Sequence, residues 1–588
     1  MQEKYTWNLR DIFETKEDFE NEIKKLNSFL EKVKTYQGKL ADSSKNIFEC
    51  YENYEKALEC NIKIYAYGML KFHLNMSNGE NNKLFKECEA LDAKVDKETS
   101  FITPEITNMD TDVLLKYIEE NDNLKRYERL LKEIIKNKAH ILSKEGENIL
   151  ANYSEVFNGS KSAYEVLTNA EFKFGDIELE NGEKKELTDS NYSIFMKNKN
   201  EKVRKQAFEK YREKYKEFSN TLAEMYLCKV KEDIITARLR KYNSSLEKAV
   251  FEDDSNLKVY NSLVKATHQN LDANHEFTKL KKQLLKKDEL HLYDLFLNPF
   301  ETKDDDISFE EARKQVLEAL SVFGEEYTKK IEFAFDNGWL DLYPAPNKYG
   351  GAYNMGVYGV HPYVLSNYIK QKRDVSTIAH EFGHAMHSYL ASSNQNIFDA
   401  SYKIMVAEIA STTNEIILAK YQMEKEKDPI KKAEIIYELM DMIRSTLFTQ
   451  TMFAEFEKEV HGKIEEGCQL STEEISSIYY NLKKEYTGSD MIIDDLSRYE
   501  WLYIPHFYTP FYVYKYATGV SSAIIIANNI LNKKEGYVDR YLNMLKQGCK
   551  KNSIDLLKMV NVDLEDENTY KGAIDFYREL AEELKKLI

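Results

Sequence analysis

Proline and cysteine are scarce in this chain, and both scarcities limit what the protein can be. Of the 588 residues only 8 are proline, and just Pro104 and Pro299 lie before residue 340. Because proline interrupts helices, such a chain is free to form long ones. The 6 cysteines are scattered without a C-x-x-C pair, which excludes the usual cysteine-based metal and redox motifs and predicts reduced thiols.

An excess of positive charge and a long apolar run are also missing. Lysine and arginine together number 83 against 100 aspartates and glutamates, so the formal net charge is −17, which is the opposite of a nucleic-acid-binding footprint and disfavours anionic membranes. The most apolar stretch, residues 520–531, is interrupted by serine and asparagine, so no segment is predicted to span a bilayer. The N-terminus lacks a signal-peptide pattern. We therefore expect a cytoplasmic protein without nucleic-acid or membrane partners.

Amphipathic helices are predicted through most of the chain. Segments rich in lysine and glutamate carry apolar residues at i, i+3 and i+4, and the clearest examples are residues 18–33, 114–137, 200–236 and 430–464. The 41 tyrosines and 29 phenylalanines are expected to pack between these helices. Alternation and an Asn-Gly pair predict a β-hairpin within residues 172–190. The length fits two to four domains or one large enzyme, and the protein is predicted to be mostly α.

A His-Glu-Phe-Gly-His sequence begins at residue 380, within a segment that has the apolar spacing of a helix. Because residues four apart lie on one helix face, His380 and His384 can each direct a ring nitrogen at a single Zn²⁺. Glu381 lies beside them, next to any water on the metal. The metzincin class needs glycine at 387 and histidine at 390, whereas this chain has His387 and Leu390, so that class is excluded.

A third zinc ligand is predicted from the segment that follows. Glu408 lies among apolar and small residues, where a carboxylate needs a partner, and 24 residues (408 − 384) let one helix finish and another return. Glu415 lies two turns further on and could hold a ligand histidine from behind. Three protein ligands leave a fourth position open for water, so His387 is expected to be structural or to support a ligand from behind.

Between residues 339 and 368 the composition changes from that of amphipathic helices to a glycine-rich segment. Residues 350–360, which begin with Gly350 and Gly351, are glycine-rich and compatible with β-structure, and residues 361–368 read as a strand that ends before the metal helix. A phosphate-binding loop is excluded because no Gly-Lys-Ser/Thr follows and no helix opens directly after it. A small β-sheet is therefore predicted beside the metal helix.

Several stretches of the chain form a recognisable set of motifs. They are His-Glu-Phe-Gly-His-Ala-Met-His at 380–387, Val-Ala-Glu-Ile-Ala-Ser-Thr at 406–412, Lys-Tyr-Gly-Gly-Ala-Tyr at 348–353, Ile-Pro-His-Phe-Tyr at 504–508, Tyr-Lys-Tyr-Ala-Thr-Gly at 514–519, and Trp-Asn-Leu at 7–9 with Ile-Phe at 12–13. The set resembles the thimet-oligopeptidase-like zinc metallopeptidases, and most closely their bacterial oligoendopeptidase F branch. This likeness runs nearly from end to end.

The resemblance implies a fold and a division of the chain. The fold is a large, mostly α, zincin-type peptidase with a deep central cleft and a small β-sheet beside the metal-binding helix. Residues 1–195 are expected to form an N-terminal helical region over the cleft, and residues 196–588 the zinc metallopeptidase catalytic domain. The implied substrates are short, unstructured oligopeptides in the cytoplasm, cleaved at internal peptide bonds.

The resemblance also implies a mechanism with one Zn²⁺ per chain. His380, His384 and Glu408 hold the metal, which lowers the pKa of water, and Glu381 acts as the general base. No covalent acyl-enzyme is needed, so no serine or cysteine nucleophile is expected. His506 and Tyr514 are predicted to stabilise the negative charge that develops on the carbonyl oxygen.

An extended substrate is expected to pair with a sheet edge beside the metal, where glycines permit close approach. The residues predicted to contact the substrate are Gly350, Gly351, Tyr508 and Tyr512.

Two alternatives remain open from the sequence. A zinc carboxypeptidase or dipeptidyl carboxypeptidase would need a cationic anchor for the substrate C-terminus, and four arginines could supply it without any motif to mark them. A catalytically silent peptide-binding scaffold is disfavoured because Glu381, which such a protein could lose while keeping zinc, is present. Side-chain preference and oligomeric state are left open.

Overall fold

The computed structural model describes residues 5–300 and 306–588, without the side chain of residue 155, and about 70% of it is helical. The α-helices up to residue 284 are α1 (Lys16–Lys34), α2 (Ser44–Leu74), α3 (Gly79–Thr99), α4 (Ile102–Asn108), α5 (Thr111–Glu120), α6 (Glu128–Asn137), α7 (Lys144–Phe157), α8 (Gly159–Val166), α9 (Asp189–Met196), α10 (Glu201–Glu217), α11 (Ser219–Leu239), α12 (Ser245–Glu252), α13 (Leu257–His268) and α14 (Asp272–Leu284). Those that follow are α15 (Phe309–Leu320), α16 (Glu325–Asp336), α17 (Lys372–Ser392), α18 (Ile404–Lys425), α19 (Pro429–Ile443), α20 (Thr449–Glu465), α21 (Thr472–Thr487), α22 (Tyr514–Leu531), α23 (Tyr537–Leu545), α24 (Ser553–Lys558) and α25 (Glu567–Lys585).

Two small sheets accompany the helices. The strands are β1 (Asp176–Glu178), β2 (Lys184–Glu186), β3 (Leu340–Asp341), β4 (Tyr353–Met355) and β5 (Tyr363–Leu365). β1 and β2 form an antiparallel hairpin, which confirms the hairpin predicted within residues 172–190. The other sheet has the order β3-β5-β4, with β5 parallel to β3 and antiparallel to β4. The strand predicted over residues 361–368 is therefore shorter than expected.

Two of the predicted helices are interrupted. The helix expected over residues 114–137 is wrong in its middle, because Asn121 ends α5 and its side-chain oxygen accepts the N–H of Asn123, a local bond that competes with helix. The helix expected over 200–236 breaks at Phe218, whose backbone leaves helical geometry (φ −105°, ψ 15°). The segment 430–464 is nearly continuous, with a π-helical turn at Arg444–Phe448 between α19 and α20.

The described chain divides into two compact units. The first holds the described parts of Met1–Ala139, Asp304–Tyr421 and Ile526–Asn561, and the second holds those of His140–Lys303, Gln422–Ile525 and Val562–Ile588. Each unit draws on both sides of the predicted division between residues 195 and 196, which stays a prediction about sequence domains. No helix within the described residues is long and apolar enough to cross a membrane.

The core of the first unit joins the N-terminal helices to the three-stranded sheet. Trp7 is buried and its indole N–H donates to the carbonyl oxygen of Val364 on β5 at 2.8 Å. Tyr363 and Leu365, on either side of Val364, are buried in one apolar cluster with residues of α1, α2 and α3. The sheet is thus held from one side by the start of the chain.

A buried lysine fixes the chain between β3 and the glycine pair. The Lys348 ammonium is paired with the Asp341 carboxylate at 2.6 Å, and it donates to the carbonyl oxygens of Tyr343 (2.7 Å) and Ser366 (2.6 Å). Its side chain is only 1% exposed, so this charge depends on these partners. Because Lys348 immediately precedes the segment with Gly350, it sets where that loop leaves the sheet.

The second unit has an aromatic core around α11, α20 and the turns of residues 495–508. Trp501, Phe507 and Phe456 pack against Tyr226, with ring centroids 5.5 to 6.2 Å from that ring. A buried ion pair between Arg212 and Glu500 lies at the same end. These contacts hold the segment that carries His506, the residue predicted to stabilise the oxyanion.

Candidate metal centre

The metal motif lies in the middle of α17. The first turn of this helix is closed by reciprocal hydrogen bonds between Gln371 and Asp374, which satisfy N–H groups that helix geometry leaves unpaired. Ile378, Ala379 and Phe382 are wholly buried, whereas His380 and His384 keep 27% and 15% of their side chains exposed. The histidines therefore share the helix face that remains open, as the four-residue spacing predicts.

Gly383 lets α18 cross directly over the metal helix. A Cβ atom at position 383 would lie 2.5 Å from the Cα of Ser411 and 2.7 Å from the carbonyl oxygen of Ala410, which are backbone atoms that cannot turn aside. The buried Asn414 side chain donates to the carbonyl oxygen of Ala379 at 3.0 Å and pins the same crossing. A glycine inside a helix usually has such a packing reason. The sequence therefore offers a signal for Gly383 at this helix crossing, but none for Asn414.

We expect Gly383→Ala to destabilise the protein, although alanine is the better helix former by about 1 kcal/mol. The added methyl group must push α18 away, and Glu408 moves with that helix. The melting temperature and the zinc content at stoichiometric metal should both fall. Gly462→Ala is the matched control, because a Cβ there meets no atom within 4 Å and should raise stability or leave it unchanged.

Three potential ligands meet where the two helices cross. His380 Nε2 and His384 Nε2 lie 3.5 and 3.3 Å from Glu408 Oε2, and one ligand atom of each residue falls within 4.8 Å of the others. Atoms held 2.0–2.2 Å from a tetrahedral ion lie about 3.3–3.6 Å apart. The donor set and its spacing therefore fit a zinc ion, and this is the one such cluster found in residues 5–300 and 306–588.

The ligand groups are already electrostatically paired. Burial disfavours a charged His380, but the hydrogen bond from its Nδ1 to Glu415 and the nearby carboxylates raise its pKa to about 9. Burial likewise disfavours a charged Glu408, but His384 and His380 lower its pKa to about 2. Glu415 thus supports His380 from behind, as the sequence suggested, and fixes which ring nitrogen faces the ligand cluster.

Replacing Glu415 with glutamine should lower zinc affinity by about 10–100-fold, the usual effect of losing a carboxylate behind a ligand histidine. The variant should recover much of its turnover in excess zinc. Competition with a chromophoric chelator measures the affinity. Glu424→Gln, at an exposed position on the same helix, is the matched control and should bind zinc as the wild type does. An unchanged affinity in Glu415→Gln would contradict the assigned role.

The metal-free protein should lose stability as the pH rises through 9. The pKa of His380 lies above its ordinary value of 6.5, so its protonation stabilises the fold fully below pH 6.5 and not above 9. The change corresponds to at most about 3 kcal/mol in the free energy of unfolding. Thermal melts of metal-free wild type and His380→Gln across this range measure it. Parallel curves for the two proteins would refute the prediction.

Glu381 lies beside the ligands but is not one of them. The residue is 6% exposed, and no hydrogen-bond donor in the described chain reaches its carboxylate. Burial raises its pKa above the usual range, against the lowering effect of His380 and His384. A buried, unpaired carboxylate next to a metal site is suited to accept a proton.

His387 takes no part in the ligand cluster. It is 3% exposed, and its ring stacks on Tyr402 at 3.8 Å between centroids. Burial lowers its pKa to about 3, so the ring is neutral. This placement agrees with a structural histidine.

The glycine pair lies at the exposed end of the sheet next to α17. Gly351 has φ +80°, a backbone conformation that residues other than glycine rarely adopt. Cβ atoms at Gly350 and Gly351 would meet nothing within 4 Å. The Asn367 side chain donates to the carbonyl oxygens of Tyr349 (3.0 Å) and Gly351 (2.7 Å). Nothing in the sequence marked Asn367 as the residue that shapes this loop.

His506 lies in the second unit with two partly exposed tyrosines. Its ring centroid is 6.1 Å from that of Tyr512 and 6.0 Å from that of Tyr516, and the two tyrosine rings are 5.4 Å apart. Burial lowers the pKa of His506, which favours the neutral ring. No hydrogen bond within the described chain engages the His506 ring or the Tyr512 hydroxyl.

The structure places Tyr514 and Tyr508 differently from expectation. Tyr514 is wholly buried and its hydroxyl donates to the Asp253 carboxylate at 3.1 Å, so that group faces the core of its unit. Tyr508 is 6% exposed and stacks on Tyr164 at 4.4 Å. Because both rings pack in the interior, neither geometry supports the predicted contacts with oxyanion or substrate.

Comparison with known proteins decides the family. Residues 194–576 match the model for Peptidase family M3. The chain belongs to this family. Residues 105–174 match a second model, described as Oligopeptidase F. This chain is therefore a metalloendopeptidase of family M3. Membership makes it a metal-dependent peptidase that cleaves oligopeptides.

Curated relatives and solved structures agree with this assignment. Oligopeptidase PepF of Bacillus subtilis is 35% identical over 99% of this chain and 87% of its own length, and group B oligopeptidase PepB of Streptococcus agalactiae is 32% identical over 100% and 98%. The crystal structure of oligoendopeptidase-F from Enterococcus faecium covers 97% of this chain and 98% of its own, with 30% identity and a TM-score of 0.74. The large helical peptidase fold is therefore confirmed.

Proposed function

We propose that this family M3 peptidase is a zinc-dependent endopeptidase, with one Zn²⁺ per chain, that hydrolyses internal bonds of short unstructured peptides. One observation carries the proposal: His380, His384 and Glu408 have the spacing of a tetrahedral zinc site beside the buried carboxylate of Glu381. When bound, zinc would polarise the substrate carbonyl and lower the pKa of water.

Glu381 carries the proton through the reaction. It removes a proton from the attacking water as the new carbon–oxygen bond forms. It then delivers that proton to the nitrogen of the leaving amine as the carbon–nitrogen bond breaks, so one water is consumed and no acyl-enzyme forms. His380 and Glu415 hold the ligand face still while this happens.

We assign the oxyanion donors to His506 and Tyr512, in place of Tyr514. Negative charge develops on the former carbonyl oxygen, and donors oriented in advance stabilise it by about 2.7–4 kcal/mol each. The family resemblance points to a histidine and a tyrosine in this segment. His506 and Tyr512 are partly exposed, whereas the Tyr514 hydroxyl is bonded to Asp253, which supports the exchange.

Substrate backbone is proposed to pair with β4. This strand is one of the two edges of its sheet, bonded to β5 on one side in the described chain, and Gly350 and Gly351 are exposed just before it. Main-chain pairing gives affinity with little dependence on side chains, which suits an enzyme of varied oligopeptides. A cytoplasmic location remains a prediction from the sequence.

Product mapping tests the endopeptidase proposal. The substrate is a peptide of about eight residues, blocked at both ends and quenched internally, and mass spectrometry identifies the fragments. We expect internal cleavage that serine- and cysteine-directed reagents leave intact. Cleavage only of the same peptide with a free C-terminus would favour a carboxypeptidase or dipeptidyl carboxypeptidase. No cleavage of either by zinc-loaded protein would favour a binding scaffold.

A further inference from the structure

A buried glutamate lies behind the segment that carries His506 and Tyr512. Glu457 is in the middle of α20 and is 0% exposed. No lysine or arginine pairs with it in the described chain, and burial raises the pKa of its carboxyl group well above the usual range. One carboxyl oxygen, Oε1, accepts the backbone N–H of Phe511 at 2.9 Å, and Oε2 has no partner among the described residues.

Phe511 is the point of the segment that most needs support. Its φ of +52° lies in the left-handed region, which a residue other than glycine adopts only when its surroundings impose it. The neighbouring N–H groups of Thr509 and Tyr512 bond to His506 O at 2.8 Å and Thr509 O at 3.3 Å. The Phe511 N–H has no carbonyl partner in the described chain and depends on Glu457.

Packing of the Phe511 side chain also holds the turn against α20. The Phe511 ring lies 4.6 Å from that of His461 and 6.1 Å from that of Tyr260, and His461 Nδ1 bonds to the backbone carbonyl oxygen of Glu457 at 2.9 Å. The turn at Phe511 is therefore seated on α20 through its ring and its N–H together. Tyr512 follows directly, and its ring contacts that of His506.

We propose that Glu457 is a positioning residue for peptide hydrolysis: by accepting the Phe511 N–H it fixes the turn of residues 505–513, and with it the orientation of His506 and Tyr512. The inference rests on the proposed function of those two side chains. Glu457 touches no substrate. Its effect belongs in kcat, because the donors it orients act on charge that develops only in the transition state.

The decisive variants are Glu457→Met, which keeps the length of the side chain but removes the acceptor, and Glu457→Gln, which keeps an acceptor. With the blocked peptide and zinc-loaded protein, Glu457→Met should lower kcat by about 10–100-fold, the cost of misplacing catalytic groups by about 1 Å, with KM changed less than about 3-fold. Glu457→Gln should stay within about 5-fold of wild type, because its amide oxygen can accept the same N–H.

Thr451→Val is the control for a loss of stability alone. Thr451 is also wholly buried on α20, but its hydroxyl donates only to Leu447 O of the preceding turn. It should lower the melting temperature and leave kcat unchanged. An equal fall of kcat in Thr451→Val and Glu457→Met would overturn the proposal. If Glu457→Met does not fold, Glu457→Asp takes its place in every comparison, because the shorter side chain withdraws the acceptor by one methylene group.

A double-mutant cycle with His506→Ala separates this proposal from the proposed function. If Glu457 acts through His506 and Tyr512, Glu457→Met should cost far less in the His506→Ala background, and hydrogen exchange of residues 504–513 should quicken in Glu457→Met alone. The positioning role would be overturned if Glu457→Met lowered kcat by the same factor in His506→Ala as in the wild type, or if hydrogen exchange of residues 504–513 were unchanged in Glu457→Met. Wild-type kcat in His506→Ala with quickened exchange in Glu457→Met would instead remove His506 from the mechanism and leave the structural support intact.

Discussion

Replacing Glu381 with glutamine should abolish most turnover while the metal stays bound. Glutamine has nearly the same shape, so His380 and His384 keep their positions on α17, but an amide cannot accept the proton from water. Loss of a general base costs about 10²–10⁴-fold in kcat. We expect a value toward the upper end, because Glu381 is the one carboxylate beside the ligands that is neither a ligand nor bonded to a ligand histidine in the described chain.

Zinc content and substrate binding decide how a defect in Glu381→Gln is to be read. The variant should carry one zinc per chain and keep KM within about a few-fold, because proton transfer is required only in the transition state. The pH dependence should also change, since the acidic limb of kcat/KM reports the essential base of the free enzyme. Turnover close to wild type, with contaminating peptidase excluded by active-site titration, would remove Glu381 from the role of base.

Replacing His384 with glutamine should remove both the metal and the activity. Two protein ligands, His380 and Glu408, would then have to hold an ion that needs three. The affinity should fall by more than the 10–100-fold that loss of a supporting carboxylate costs. Without the several kcal/mol that a metal supplies to the transition state, kcat should fall by at least about 10³-fold.

His387→Phe is the matched control for His384→Gln, one helical turn along the same helix. The phenyl ring can keep the stack on Tyr402, and no ligand is lost. This variant should bind zinc and turn over peptide as the wild type does. Excess zinc should not restore His384→Gln at concentrations that restore Glu415→Gln. Retention of one zinc by His384→Gln, or loss of zinc from His387→Phe, would contradict the ligand assignment.

The metal centre was predictable because its residues are local in sequence. His380 and His384 are four residues apart, so the spacing alone puts them on one helix face, with Glu381 next to His380 in the chain. Glu408 stood out as a carboxylate among apolar residues, and the structure brings it within 3.5 Å of both histidines. The small sheet beside α17 followed from the glycine-rich residues 350–360 and the strand predicted over residues 361–368.

The remaining features depend on contacts that a linear pattern does not carry. Tyr512 and Tyr514 are two residues apart with similar neighbours, and only Asp253, more than 250 residues away, shows which hydroxyl is engaged. Ser219 and Asn220 follow the break at Phe218, but no side chain caps the helix that begins there, and the Phe218 ring packs on Phe172. The composition of each unit from segments that are far apart in the chain likewise reflects burial between them, such as Trp7 against β5 in the first unit.

The most direct test of the account is a titration of metal-free enzyme with zinc, read by turnover of the doubly blocked peptide. One site formed by His380, His384 and Glu408 predicts activity that rises linearly and stops at one zinc per chain. The Glu381→Gln variant should bind the same one zinc per chain without gaining activity. Full activity in the metal-free protein, or in His384→Gln at the same zinc concentration, would contradict the central claim.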